Sequence, residues 1–184
     1  MLSGRKLELL DPSPLDIEIE DIAHGLSFLG RWNGQTIREY PFSLAQHSLL
    51  LKNIFAKQFP QMDNPSKLYA LLHDSAEYVI GDMISPLKSH LGNTYEELDE
   101  KLTRAICIRF NIPTKKIKII KRHVKLADKK AAWLEAIHLA GFSKQEADSI
   151  FGKHEQIMGF ESSLLPEAPF FVRKKFVNRF NDLY

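Results

Sequence analysis

The sequence has a single cysteine and no long hydrophobic run. One thiol, Cys107, cannot form an internal disulfide, so we expect a reducing compartment and a cytoplasmic protein. No stretch approaches the roughly 18 consecutive apolar residues that a membrane-spanning helix requires. Residues 1–10 also lack the apolar core of a signal peptide. These absences predict a protein without a membrane partner.

The sequence also has no excess of charge of one sign. The 184 residues include 25 Lys+Arg and 23 Asp+Glu, a net charge of +2, so no overall basic footprint favours nucleic acid. Residues 115–122 are locally basic, but their isoleucines fall on the apolar side of a predicted helix and no aromatic residue separates the lysines. We interpret these lysines as a solvated face and predict no nucleic-acid partner. A helical domain that binds nucleic acid stays as an alternative.

Strand signals are poor, because the alternation of apolar and polar residues is confined to residues 17–19. Hydrophobic residues make up 44% of the chain, with nine glycines and nine prolines, which excludes a disordered or collagen-like chain. Elsewhere apolar residues recur at steps of three and four, and neither a repeat nor a shift in composition marks a boundary. We therefore predict one all-α domain over residues 1–184, a helical bundle with a core at about 19–140 and C-terminal helices at 143–184.

Capping residues, prolines and glycines predict where the helices begin and end. The candidate N-caps are Ser43, Asn64 before Pro65, and the capping boxes of Thr94 with Glu97 and Ser143 with Glu146. The predicted helices cover about residues 19–26, 42–59, 64–81, 94–110, 113–141, 143–152 and 171–183. The predicted loops cover residues 10–16, 30–41, 81–93 and 152–169.

Three side chains of the ligand type lie together in the predicted helix at 64–81. Glu77 follows His73 by four residues and Asp74 by three, so the three share roughly one helix face. Burying an isolated carboxylate there costs on the order of several kcal/mol, and a divalent cation is the simplest partner. His47 and Asp128 lie on the apolar stripes of two other predicted helices. Two imidazoles and two carboxylates suit Co, Mn, Zn, Fe, Ni or Mg with open water positions.

Each of these residues alone has a simpler interpretation. A histidine on an apolar face, such as His47, is more often hydrogen-bonded within a core than bound to a metal. Asp128 could pair with a neighbouring lysine. The ordered set of His47, the pair His73-Asp74 and Asp128, spread over three helices, is much harder to obtain by chance, and we favour the metal site.

This ordered set resembles the metal signature of the HD-domain metal-dependent phosphohydrolases. The segments Ala-Leu-Leu-His-Asp-Ser-Ala-Glu at 70–77 and Gly-Asp-Met-Ile-Ser-Pro-Leu-Lys at 81–88 are similar to those of bacterial 5′-deoxynucleotidases. The pair Arg31-Trp32 and Ala-Gln-His-Ser at 45–48 also match that group and the small phage dATP triphosphohydrolases. The resemblance covers about residues 21–139 and carries nothing beyond residue 141.

The resemblance implies a role for each matched residue. His47, His73, Asp74 and Asp128 would hold one divalent metal ion, with any second ion carried in by the nucleotide phosphates. Glu77 and Asp82 would be catalytic, the first at the attacking water and the second at the sugar hydroxyl or the leaving oxygen. Arg31, Trp32, Ser85 and Lys88 would bind the substrate, the cations at the phosphates and the indole against the nucleoside.

Several of these residues keep a structural alternative. Without the resemblance, Asp82 would be interpreted as the cap of a turn and Lys88 as a solvated lysine. Trp32 would be interpreted as a packing residue of the core. His90 and His123 fall between the expected ligands, but their spacing does not suit ligation. The aromatic segment at 170–180 is either the closing helix of the core or a contact between subunits.

The function expected from the resemblance is metal-dependent hydrolysis of deoxynucleotides. We place first a dNTP triphosphohydrolase of the dATP type, which releases a deoxynucleoside and triphosphate. The alternatives are a 5′-deoxynucleotidase that releases phosphate from dNMPs and a non-catalytic module that senses a nucleotide. Members of this family commonly form homo-oligomers, so we expect a dimer or a hexamer.

Overall fold

The protein is described by a computed structural model that covers residues 1–113, 117–155 and 159–184, apart from the side chain of Ser85. These residues form nine α-helices and no strand, so the all-α prediction is confirmed. The helices are α1 (Ile19–Phe28), α2 (Leu44–Gln58), α3 (Asn64–Leu71), α4 (Glu77–Ile80), α5 (Ser85–Leu91), α6 (Asn93–Arg109), α7 (Ile117–His138), α8 (Lys144–Phe151) and α9 (Pro169–Asn181). Short 3₁₀ turns occupy Pro14–Asp16, Trp32–Gly34 and Glu161–Leu164.

The helices surround α2, which packs against α1, α3, α7 and α9. The side chains of α2 explain this central place, because its apolar residues are wholly buried: Leu44, Leu50, Leu51, Ile54 and Phe55. One hydrophobic cluster joins them to residues of every long helix, from α1 to α9. The described residues thus bury one shared core, and α2 lies at its centre.

Two of the predicted helix starts are confirmed by their hydrogen bonds. The side chain of Ser43 accepts a hydrogen bond from the backbone N–H of Gln46 and caps α2. Ser143 and Glu146 form the complete capping box of α8, in which each side chain accepts from the other residue's backbone N–H. Caps of this kind bind backbone N–H groups that the first helical turn leaves without partners.

Two other predicted starts are wrong. Helix α3 is capped by Asp63, whose side chain accepts from the backbone N–H of Ser66, and not by Asn64, which is already helical. Helix α6 begins at Asn93 without a side-chain cap, because Gly92 at φ +59° ends α5 and turns the chain directly into α6. Thr94 therefore lies inside the first turn, where it cannot act as the predicted cap.

The predicted helix at 64–81 is broken at its centre. Helix α3 ends at Leu71, tight turns follow, and α4 begins only at Glu77. The backbone N–H of Ser75 bonds to the carbonyl of Leu72 and that of Glu77 to Asp74, at 3.0 Å in both cases. These bonds close over three residues, which rotates successive side chains by about 120° instead of about 100°. The pair His73-Asp74 thus lies in a tight turn and not on a regular helix.

The predicted loop at 81–93 contains helix α5. Its seven residues are too few to show an apolar period, and Pro86 falls in the first turn, where proline is compatible with a helix. The other ends differ by a few residues: α7 ends at His138 before Gly141, and its predicted start at Thr114 lies outside the described residues. Among the described helices, none is both long and apolar enough to cross a membrane.

The aromatic C-terminal segment closes the core. Helix α9 packs against α1 and α2 and buries Val172, Phe176 and Phe180, whereas Phe170 and Phe171 are exposed. The first of the two predicted alternatives, a closing core helix, therefore holds for the buried face of this segment.

Truncating a buried aromatic ring of α9 should destabilise the whole fold. We expect Phe176→Ala to lower the free energy of unfolding by about 3–5 kcal/mol, because a fully buried ring is replaced by a cavity. The matched change Phe170→Ala, at a ring that is 69% exposed, should cost less than about 0.5 kcal/mol. Denaturation in urea, followed by circular dichroism, measures both. Equal losses for the two variants would contradict the assignment of α9 to the core.

Candidate metal centre

Three of the predicted ligands meet between α2, the turn after α3 and α7. Single donor atoms of His47, His73 and Asp128 all lie within 4.8 Å of one another. The Nε2 atom of His47 is 3.2 Å from Oδ1 of Asp128. Asp74 completes the cluster, with Oδ2 at 2.8 Å from Nε2 of His73 and 3.8 Å from Nε2 of His47. The structure therefore brings together all four side chains that the sequence proposed as ligands.

The hydrogen bonding of the two imidazole rings indicates that this cluster fits a cation. Among the described residues, neither Nε2 of His47 nor Nε2 of His73 has a hydrogen-bond partner, although both atoms are buried. The nearby carboxylate oxygens of Asp128 and Asp74 lie at ion-pair distance from these nitrogens. A buried polar atom without a partner costs about 1–3 kcal/mol. A divalent ion between two nitrogens and two carboxylates would remove that cost, and this donor set suits the first-row metals.

The backbone determines which nitrogen His73 presents to the cluster. Its Nδ1 lies 3.1 Å from the carbonyl oxygen of Ala70, and because a carbonyl can only accept, Nδ1 carries the proton. In the neutral ring the lone pair is then on Nε2, which lies beside the other donors. A hydrogen bond to the second ring nitrogen is the usual way in which proteins orient a metal-binding histidine. The tight turn that begins at Leu72 thus both positions His73 and selects its tautomer.

The fully buried carboxylate of Glu135 contacts His47 on the side of the ring away from the cluster. No role for Glu135 was predicted from the sequence. Its Oε1 atom lies 2.6 Å from Nδ1 of His47, and its Oε2 atom accepts hydrogen bonds from Nε of Arg31 at 2.9 Å and Nε1 of Trp32 at 3.0 Å. Burial alone would raise the pKa of Glu135, but the charges of Arg31 and His47 outweigh it and hold the pKa at about 2. A signal existed, because Glu135 follows Asp128 by seven residues, two helical turns, in an apolar stripe of α7.

The carboxylates of the cluster are held in their ionised form. Burial opposes the charge of Asp74, yet the imidazoles of His73 and His47 hold its pKa below the usual range. For Asp128, burial is likewise outweighed by the contact with His47, and its pKa is lowered. Burial would also lower the pKa of Arg31, but Glu135, Asp82 and Asp128 raise it. The centre is thus a compact set of ionised carboxylates beside one permanently charged guanidinium.

Glu77 lies in α4 next to this set, with only 3% of its surface exposed. Its Oε1 atom accepts a hydrogen bond from Nζ of Lys88 at 2.6 Å, and its Oε2 atom is buried without a partner among the described residues. Burial and the charge of Asp74 raise the pKa of Glu77 to about 8, against the opposing effect of Lys88. One carboxylate oxygen is therefore available for a further contact.

The comparisons with known proteins concern the whole chain. No family model matches it. It is 51% identical, over 179 residues, to the uncharacterized protein RCAP_rcc00048 of Rhodobacter capsulatus, and the match covers 97% of this chain and 91% of that protein. The chain belongs to that protein's family. The matched residues include α2, α7 and the turn after α3, which carry the predicted ligands. The name of the relative states no activity. The function therefore has to be argued from the site.

The remaining predicted residues lie around the centre in different settings. Asp82 follows α4 and is close enough to Arg31 and Glu77 to raise the pKa of both groups. The indole of Trp32 packs on Phe142 and Phe151, with ring centroids 5.7 and 6.1 Å away. The indole packs at the edge of the core but is only partly buried. These contacts therefore fix its position, and its predicted place against the nucleoside stays a prediction. The side chain of Ser85 lies outside the described residues.

The two histidines that were set aside lie apart from the cluster. His123 packs against the ring of Phe59 at 4.5 Å, and its Nδ1 bonds to the carbonyl of Ile119. His90 is exposed at the end of α5. The donor group found in the described part of the chain consists of His47, His73 and Asp128, without either of them.

Proposed function

We propose that the protein is a divalent-metal-dependent phosphohydrolase of the HD-domain type that acts on deoxynucleotides. We place dNTPs first as substrates, with a deoxynucleoside and triphosphate as products. The observation that carries the proposal is the convergence of two imidazole nitrogens without hydrogen-bond partners and two carboxylates, beside the buried Glu77 and the partly buried Arg31.

The four clustered side chains would hold the ion. His47 and His73 would bind it through Nε2, and Asp74 and Asp128 would bind it through carboxylate oxygens. A bound divalent ion lowers the pKa of water and stabilises negative charge on a phosphoryl oxygen. The other groups of the site would act on the water and on the substrate.

Glu77 is suited to take the proton of the attacking water. Its Oε2 atom has no partner among the described residues, and the side chain is buried beside the cluster. Lys88 binds the other oxygen, and an arriving phosphate would compete with Glu77 for that ammonium group. Asp82 would contact the sugar hydroxyl or protonate the oxygen that leaves.

Arg31 is suited to bind the phosphate. Its Nε is engaged by Glu135, which leaves the two terminal nitrogens to donate to phosphate oxygens. A cation placed beside a phosphoryl group stabilises the negative charge that develops there in the transition state. Lys88 would add a second positive charge at the more exposed side of the site.

The two cleavage modes break the same bond. In both, the oxygen of water bonds to the α-phosphorus, the bond from that phosphorus to the 5′-oxygen of deoxyribose breaks, and the 5′-oxygen takes a proton. A dNTP then yields triphosphate, and a dNMP yields phosphate. Because the reacting atoms are the same, the substrate is distinguished by how many phosphates the protein accommodates.

A panel of nucleotides tests the proposal. Protein loaded with Mn²⁺ or Co²⁺ is incubated with dATP, the other dNTPs and each dNMP, and the products are separated by chromatography. We expect deoxyadenosine and triphosphate from dATP, and no turnover by protein stripped of metal. Phosphate released from dNMPs alone would instead identify a 5′-deoxynucleotidase. Tight binding of a nucleotide without turnover would identify a sensing module.

The expected oligomeric state is tested separately. Size-exclusion chromatography with light scattering distinguishes a monomer from the expected dimer or hexamer.

A further inference from the structure

The two oxygens of Glu135 serve two different parts of the site. Oε1 contacts His47, a predicted metal ligand, and Oε2 contacts Arg31 and Trp32. The three partners lie 88 to 104 residues away in the sequence. A single carboxylate with no exposed surface thus connects α2, α7 and the turn after α1.

We propose that Glu135 is a positioning residue that holds the metal ligand His47 and the guanidinium of Arg31 in one fixed arrangement. The part that concerns Arg31 and phosphate rests on the proposed function. The part that concerns His47 needs only a metal ion, and it can be tested without any substrate.

The contact with His47 determines the tautomer of the imidazole. An ionised carboxylate can only accept a hydrogen bond, so Nδ1 of His47 must carry the proton. In the neutral ring, which is the form that binds a metal, Nε2 then keeps the lone pair, and this atom lies beside His73 and Asp128. Without this contact the buried ring could place its proton on Nε2, where it would block binding of the metal.

The contact with Arg31 determines the direction of the guanidinium. This group is planar, so a hydrogen bond from Nε to Oε2 fixes the plane in which the two terminal nitrogens lie. The indole N–H of Trp32 donates a hydrogen bond to the same oxygen. The indole ring packs against Phe142 and Phe151. The carboxylate is therefore held in place from the side opposite to the metal.

The backbone that presents Arg31 and Trp32 is strained. Trp32 has φ +57° and Asn33 has φ +51°, values in the left-handed region that residues with a side chain rarely adopt. Asparagine tolerates this region, but for a bulky residue such as Trp32 it costs about 1–3 kcal/mol and persists only where surrounding contacts hold it. The bonds of Arg31 and Trp32 to Glu135 are contacts of this kind.

The direct test replaces the carboxylate by an amide. In Glu135→Gln, the amide oxygen can still accept from Arg31 and Trp32, but the amide N–H₂ then faces His47. Nδ1 of His47 must accept that bond, which moves its proton to Nε2. We expect the affinity for Co²⁺ and Zn²⁺, measured by titration calorimetry on the full chain, to fall by about 10–100-fold.

Asp148→Asn is the matched control. Asp148 also accepts a hydrogen bond from an indole, that of Trp133, at 2.7 Å, but it is not part of the metal centre. The control should bind metal as the unchanged protein does, although it loses a carboxylate that bonds to a tryptophan of α7. An equal loss of affinity in both variants, or a folded Glu135→Gln protein with unchanged affinity, would overturn the proposal.

NMR of the unchanged protein tests the proposal even if Glu135→Gln does not fold. Histidines are labelled with ¹⁵N, and Zn²⁺ is added while the ring nitrogens are followed by NMR. We expect two rings to respond, both bound through Nε2 and both protonated at Nδ1. A zinc-bound ring protonated at Nε2 would overturn the role of Glu135. Failure of the unchanged protein to bind any metal would instead refute the proposed function.

Discussion

Replacing His73 with alanine should remove the bound metal and abolish hydrolysis together while the protein stays folded. The imidazole supplies one of the two nitrogen donors, and a metal ion contributes several kcal/mol of charge stabilisation to phosphoryl chemistry. At about 1.4 kcal/mol for each factor of ten, we expect turnover of dATP to fall by at least about 1000-fold. The fold should persist because His73 lies in a turn, and its other contact is with the carbonyl of Ala70.

The matched control for this variant is His123→Ala. His123 is a partly buried histidine that packs on Phe59, so its loss removes an imidazole of the same kind without touching the cluster. Metal content by mass spectrometry of desalted protein and turnover of dATP should both stay near the values of the unchanged protein. A His73→Ala protein that still carries a full equivalent of metal would rule out His73 as a ligand.

The helices could be predicted from the sequence where a local signal determined them. Ser43, Ser143 and Glu146 act on backbone groups within three residues of themselves, so their roles can be read without knowledge of the fold. The break between α3 and α4 could not be read in this way. The apolar residues around it continue the helical period, and the turns at residues 72–76 become visible only when the hydrogen bonds of the folded chain are known.

The cluster of His47, His73, Asp74 and Asp128 could be proposed from the sequence because polar side chains on apolar stripes are costly without a partner. The pairings behind the cluster could not. Glu135 and His47 lie 88 residues apart, and although the spacing from Asp128 places Glu135 on an apolar stripe of α7, nothing in the sequence pairs it with His47 before α2 and α7 are packed together. The ion pair of Lys88 with Glu77 was missed for a related reason, because it depends on helix α5, which lies in a predicted loop.

Replacing Glu77 with glutamine should stop hydrolysis while the metal stays bound. The amide has nearly the same size as the carboxylate, but it cannot take a proton from the attacking water. Assistance by a general base typically contributes ~10²–10⁴-fold, so we expect turnover of dATP to fall by at least about 100-fold. Glu77 is not one of the donors of the cluster, and metal content should therefore stay at that of the unchanged protein.

Glu97→Gln is the control for this change, because Glu97 is an exposed glutamate of α6. It should leave both metal content and turnover unaltered. The two readouts together separate an enzyme from a sensor of nucleotides. An enzyme loses turnover without losing metal in Glu77→Gln, whereas a sensor has no turnover to lose and should keep its affinity for dATP. If Glu77→Gln hydrolyses dATP at the rate of the unchanged protein, the proton goes to another group, and Asp82, which lies near enough to raise the pKa of Glu77, becomes the acceptor to test.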